Sequence, residues 1–159
     1  MKRTPRRQFL ATSLTGLLLA RASAAPVNSW NKIRYQGGTI EARVNPFDWN
    51  TTVTVRPNEL DLLFAGQKRV LIPMADIVGV SYGQKTYRRV ADMAVLSVFA
   101  TPVALFGILH KSKDHIVGIE YKRSDGKTGA ILLTVHKDHY AALLTALKSA
   151  TGKEVENWR

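Results

Sequence analysis

The sequence predicts a mainly β domain with one C-terminal helix (β+α): a small bent seven-stranded barrel capped by an amphipathic helix and interrupted by an apolar helical hairpin. Three observations lead there. Short apolar-alternating runs recur every 8–10 residues between turn formers, the signature of a small barrel or sandwich. A single stripe of apolar residues at helical spacing follows the last run. One 17-residue stretch without a charge, Met93 to Leu109, stands between two of the runs. At 159 residues the chain supports one domain. With 45% hydrophobic and 22% charged residues it is an ordinary globular composition, which excludes disorder and fibrous repeats. Zero cysteines exclude a disulfide framework, a thiolate metal site and a cysteine nucleophile.

Residues 1–24 carry an address. Lys2, Arg3, Arg6 and Arg7 precede a mostly apolar run from Phe9 to Ala20, and Ala22-Ser23-Ala24 supplies the small-x-small pattern of a cleavage site. The competing reading is an anchor that is never cut. Pro5-Arg6-Arg7-Gln8-Phe9-Leu10-Ala11 resembles the twin-arginine export motif, with departures at Pro5 and Ala11, and the general secretory route stays open beside it. The residues that matter for this signal are Arg6, Arg7, Ala22 and Ala24. The resemblance implies export, to the periplasm or the periplasmic face of the inner membrane. Of the formal charge of +11, residues 25–159 keep 18 basic against 12 acidic side chains, a net of +6. No basic stripe interleaved with aromatics remains, so nucleic acid is not expected as a partner, while an anionic surface is.

Residues 25–32 read as a polar leader and the domain as 33–151. Ile33, Tyr35, Thr39 and Ile40 mark the first strand, with Gly37-Gly38 as a bulge. Asn45 to Asn50 is dense in turn formers. Thr51 to Arg56 alternates β-branched residues. Pro57-Asn58 turns it into Glu59–Phe64, and Ala65-Gly66-Gln67 into Lys68–Ile72. Pro73 to Asp76 interrupts before Ile77, Val78 and Val80. After the apolar stretch come a strand at His115–Lys122, a hairpin turn at Ser124-Asp125-Gly126-Lys127, and a strand at Gly129–Val135. Asp138 is the expected N-cap of a helix whose stripe is Tyr140, Leu143, Leu144, Leu147 and Ala150, with Gly152 beyond its end. Residues 152–159 read as a polar tail.

Seven strands closed by a helix, the run Val70-Leu71-Ile72-Pro73-Met74-Ala75-Asp76-Ile77-Val78-Gly79-Val80 and the closing strand–helix pair resemble the pleckstrin-homology-like superfold, in its bacterial and GRAM-type forms, over roughly residues 33–151. The resemblance implies binding of lipids, peptides or partner domains and no catalysis. The chain also resembles short exported bacterial proteins with a Gly-Gly-Thr-Ile start (here Gly37-Gly38-Thr39-Ile40) and an apolar insert, which implies no activity.

The insert, 90–109, is expected to be a hairpin that packs on the domain or dips into one leaflet through Val95, Leu96, Val98, Phe99, Val103, Leu105, Phe106, Ile108 and Leu109. A single transmembrane helix at 90–109 is the competing reading, since 17–20 helical residues reach about 25–30 Å. It would place the strands before and after it on opposite sides of a bilayer and leave their edges unpaired. Basic residues stand at both ends of the insert, Lys85, Arg88 and Arg89 before it, Lys111 and Lys113 after it, and these are the expected contacts to anionic lipid or a partner. Pro102 near the middle favours two legs. The expected partner is a membrane lipid surface or an envelope protein, with a homo-oligomer packed through the insert as a further possibility.

Catalytic signatures are sparse. His136 and His139, three apart with Asp138 between, would be the start of a zinc site for a metal-assisted hydrolase if a third ligand approached. Glu41, Asp48, Glu59 and Asp61 are scattered carboxylates. Trp30, Trp49, Tyr82 and Tyr87 are candidates for an aromatic ligand face. No metal, cofactor or catalytic residue is assigned, and the expected role is a binding or scaffolding module.

Overall fold

A computed structural model of the chain describes residues 28–66, 68–83, 86, 90 and 115–157. Eight strands and one complete α-helix lie within them, in the order β1 (Asn28–Gly38), β2 (Thr51–Val55), β3 (Glu59–Phe64), β4 (Arg69–Pro73), a 3-10 turn (Met74–Asp76), β5 (Ile77–Tyr82), β6 (His115–Lys122), β7 (Thr128–Val135), α1 (Tyr140–Thr151) and β8 (Val155–Asn157). They form one sheet ordered β4-β3-β2-β1-β7-β6-β5-β8.

β1 is the hinge of this sheet. Its first half pairs antiparallel with β2 (Asn28↔Val55 to Ile33↔Thr51) and its second half with β7 (Ile33↔Val135 to Gly38↔Ile131). The strand therefore changes partner at Ile33, and a register break on either side lets it bend there. The second break is the Gly37-Gly38 bulge, with φ of 141° and 145°. Gly38 is also a close approach: a Cβ there would strike the carbonyl oxygen of Ala130 and stand 2.7 Å from the Ile131 Cα.

From β4 at one edge the chain reaches β5, one place from the other edge, through only the three residues Met74–Asp76. So short a link forces the two edges of the sheet toward each other, and the sheet curls into a bent barrel with a seam. The seam carries no ladder between β4 and β5 among the described pairings. Helix α1 touches β1, β2, β5 and the 3-10 turn, so it covers the opening. Its apolar stripe does this as the spacing predicts: Leu143 and Leu147 are fully buried against Ile33, Val53, Leu60, Leu62, Ile77, Ile119, Ile131 and Leu133, and Tyr140, Leu144 and Ala150 pack at the margin.

Three expectations are corrected. Residues 28–32 are not leader but strand. Trp30 packs half-buried against the core, and Ser29 Oγ lies 2.9 Å from Thr54 Oγ1, so cross-strand pairing orders a segment whose other side chains face solvent. The strand number is eight, not seven, because the tail is not free. Gly152, at φ 67°, ends α1 and donates its N–H to Lys148 O, and Val155–Asn157 then pairs parallel with β5 from Val80↔Val155 to Tyr82↔Asn157. Asp138 does not cap the helix: the N-cap is His139, without a side-chain cap bond, because the Asp138 carboxylate sits 3.2 Å from His136 Nδ1 instead.

The long β1–β2 connection is organised by one buried side chain, Asn50. Its Oδ1 accepts the Tyr35 N–H (2.8 Å) and the Thr51 hydroxyl (2.7 Å), and its Nδ2 donates to Asn45 O (2.6 Å). Its backbone N–H donates to Ile33 O, and its carbonyl accepts the Ala65 N–H. Gln36 Nε2 adds a bond to Pro46 O. The turn formers of residues 45–50 are thus tied to β1 through Asn50 and Gln36, and to one another through Asn45.

On the outer face of β3, Asp61 is held by Arg69 through Nε (2.8 Å) and Nη2 (2.6 Å) and by Arg56 Nη1 (2.9 Å), which also reaches Glu59 at 2.7 Å. The Arg69 hydrogen bonds, joined by the charges of Arg69 and Arg56, hold the Asp61 carboxyl below its usual range against the opposing effect of burial. A lowered folded value means the contribution is present above the unfolded value, near 3.9, and is lost as pH falls through the lower folded one. Asp61→Asn is expected to cost about 1 kcal/mol at pH 7, since both arginines remain partly exposed, and to flatten the acid limb of stability below about pH 4. Urea melts at neutral and acid pH read both; an unchanged acid limb would refute the assignment.

Candidate functional site

All of the expected contact residues, Lys85, Arg88, Arg89, Lys111, Lys113 and the apolar set Val95, Leu96, Val98, Phe99, Val103, Leu105, Phe106, Ile108 and Leu109, lie outside the described residues, as do Arg6, Arg7, Ala22, Ala24 and Tyr87. The two roots of the insert are described. β5 and β6 pair antiparallel up to Tyr82↔Val117, and Gly83 donates its N–H to Ile116 O at 3.0 Å. The chain therefore leaves after Gly83 and returns at His115 beside its point of departure.

Two residues of the excursion lie against the sheet. Thr86 and Val90 are helical and buried. Both occupy the space where Gly118 of β6 lacks a side chain: a Cβ on Gly118 would collide with Thr86 Cγ2, stand 2.7 Å from Ser81 Oγ and 3.3 Å from Val90 Cγ2. Val90, expected as the first residue of the insert, packs on β6.

Around these roots runs a band of rings. Tyr82, the last residue of β5, places its hydroxyl 2.7 Å from His115 Nδ1, and His115 stacks on Tyr140 with centroids 3.7 Å apart and planes within 3°. Tyr82 and Tyr140 are themselves parallel at 5.6 Å. The next residue along, His139, lies 5.9 Å from the His136 ring, and His136 meets the edge of Trp49 at 5.6 Å. The Arg34 guanidinium sits over the other part of Trp49, 4.3 Å from the ring centroid. The register explains the assembly. Val135 pairs with Ile33 on one side and with His115 on the other, and His136 donates its N–H to Lys32 O. The band thus crosses the point where β1 changes partner. Its outer end is open: Trp49 is 45% and Phe47 59% exposed, the two largest apolar side chains left to solvent on the β1–β2 loop. Lys32 and Lys137 flank it, exposed.

The proposed chemistry of hydrolysis finds little here. His136 and His139 are neighbours, but no group of three His, Asp or Glu able to hold a metal ion occurs among the described residues. Glu59 and Asp61 are engaged by arginines. Of the four aromatics expected to form a face, Trp49 and Tyr82 lie in the band, while Trp30 packs against the core. Arg34 and His115 carry no motif, and Tyr140 reads from the sequence only as the first residue of the helix stripe. The only signal for them is period: Arg34 alternates with the inward Ile33 and Tyr35, and Tyr140 and His115 stand at element starts. No helix among the described residues is long and apolar enough to cross a membrane.

No family model matches the chain, and no curated protein matches it. Among solved structures, it is similar to a chain in "Structure of the Spt16D Pob3N heterodimer", with a TM-score of 0.50 and 14% identity over 84% of this chain. The match spans 55% of that other chain, about half its length. The likeness is one of fold, and it points to a PH-like fold.

Proposed function

We propose that the chain is an exported, non-catalytic binding or scaffolding module of the periplasm or the periplasmic face of the inner membrane, attached to membrane lipid through residues 90–109. The observation that carries the reading is the β5–β6 pair. Its last rungs, Tyr82↔Val117 and Gly83 N–H to Ile116 O, bring the two roots of the uncharged stretch together. A segment that departs and returns at one point suits a dip into one leaflet. A single crossing would instead carry β5 and β6 to opposite sides of a bilayer. Basic residues at both ends of the stretch favour anionic headgroups on that one side. Export rests on the sequence of residues 1–24, and a PH-like fold hosts binding modules of many kinds without choosing among them.

Flotation tests the reading. Residues 25–159, intact and with 93–109 replaced by a short Gly/Ser loop, are mixed with phosphatidylglycerol-containing vesicles. The intact chain is expected to float and the replaced chain to lose most of that binding. Equal flotation, or none by the intact chain, would overturn the proposal.

A further inference from the structure

The geometry points to the ring band as an interfacial belt: a second lipid contact, whose occupant is the anionic headgroup layer, with Trp49 as its anchor. This rests on the lipid-docking reading above and deepens it. Three observations carry the inference.

The rings form two groups, Trp49–His136–His139 and Tyr140–His115–Tyr82, joined through the backbone at the consecutive residues His139 and Tyr140, and the second group stands at the two roots of residues 84–114. The band is therefore held beside the roots of the excursion, Gly83 and His115. The rings also have the chemistry of a headgroup boundary. Trp, Tyr and His each offer an apolar body and a polar tip, which favours the layer between water and hydrocarbon over either phase. Beyond its contacts with Arg34 and His136, nearly half of Trp49 and more than half of Phe47 face solvent, while Asn50, Asn45 and Gln36 hold the loop firmly in place. Charge then selects the occupant. Arg34 over the Trp49 ring and the exposed Lys32 and Lys137 nearby in the chain outnumber the two exposed carboxylates next to the band, Asp138, which is turned to His136, and Asp48, which accepts from Asn45 Nδ2. A cationic fringe around exposed aromatics fits anionic lipid and repels a basic partner.

A full-length chain carrying Trp30→Phe and Trp158→Phe leaves Trp49 as its single tryptophan, and circular dichroism establishes that it is folded. On phosphatidylcholine vesicles containing phosphatidylglycerol, Trp49 emission is expected to shift to the blue and to be quenched by lipids brominated near the headgroup end of the chain. Trp49→Ala is expected to weaken vesicle affinity about tenfold. Lys32→Ala and Lys137→Ala are each expected to weaken it about fivefold, only when phosphatidylglycerol is present. A chain that binds with Trp49 unshifted and unquenched overturns the belt and leaves docking through 90–109 standing. A chain with 93–109 replaced that still binds, with Trp49 quenched, keeps the belt and overturns the docking role of 90–109. A chain that binds no vesicle overturns both.

Discussion

Gly38→Ala is expected to be severely destabilising. The backbone at Gly38 has φ of 145°, a conformation that side chains with a Cβ avoid, and the added methyl would strike Ala130 O and lie 2.7 Å from the Ile131 Cα. Backbone strain of about 1–3 kcal/mol and a clash against the main chain act together. The clash cannot be relieved by a side-chain rotation, because the obstructing atoms belong to the central strand β7, paired on both sides. Relief requires β1 to part from β7 where the barrel is joined. We expect a loss of about 4 kcal/mol or more, a large share of the roughly 5–15 kcal/mol that holds a domain folded. Gly66→Ala is the control. It also carries positive φ, 91°, but no atom lies within 4 Å of its added Cβ, so it should fold with a loss of about 1 kcal/mol. Amide dispersion and urea melts separate the two; a Gly38→Ala chain as stable as Gly66→Ala would refute the close approach.

The second large effect is expected at Asn50, which is only 5% exposed. Removing its amide by Asn50→Ala orphans the buried Tyr35 N–H, takes the acceptor from the Thr51 hydroxyl, and leaves the Asn45 carbonyl with the Asp48 N–H alone. Each stranded buried group costs about 1–3 kcal/mol, offset where water reaches the loop. The expected loss is about 2–4 kcal/mol. Asn50→Asp is the discriminating variant: it keeps the acceptor for Tyr35 and Thr51 but not the donor to Asn45 O, and should recover part of the stability. If Asn50→Ala melts with the parent chain, the loop is not held as described. Because the same loop carries Phe47 and Trp49, the variant should also loosen the exposed end of the ring band.

How much of this was readable before folding depends on what each element offers to a periodic pattern. β2, β3, β6 and β7 alternate or run apolar between strong turns, and α1 carries a full stripe, so their places follow from the residues. β1 begins early, and β8 exists at all, because polar residues at 28–32 and 155–157 find partners across the sheet. Pairing leaves no apolar period to detect. The Gly37-Gly38 bulge was legible as a bulge; that Ala130 presses on it was not, since nothing in the sequence couples positions so far apart. The candidate site divides in the same way. Trp49 and Tyr82 stand out by type, and His136 and His139 by spacing. Their assembly with His115, Tyr140 and Arg34 depends on Val135 pairing with both Ile33 and His115, a property of register alone. The basic and apolar residues of the insert are legible only as composition, and they lie outside the described residues.

The exchange of partners by β1 at Ile33 has a consequence in time as well as in space. The first half of β1 can find β2 about twenty residues on, but its second half waits for β7, about a hundred residues later in the chain. A ribosome delivering residues in order would release the meander β1–β4 long before its closing strand, with the Tyr35–Gly38 edge bare. Closing so long a loop is slow, and an open edge invites wrong neighbours meanwhile. For such a topology the barrel cannot close before β7 is made, and whatever shields that edge in the interval governs the yield of folded protein.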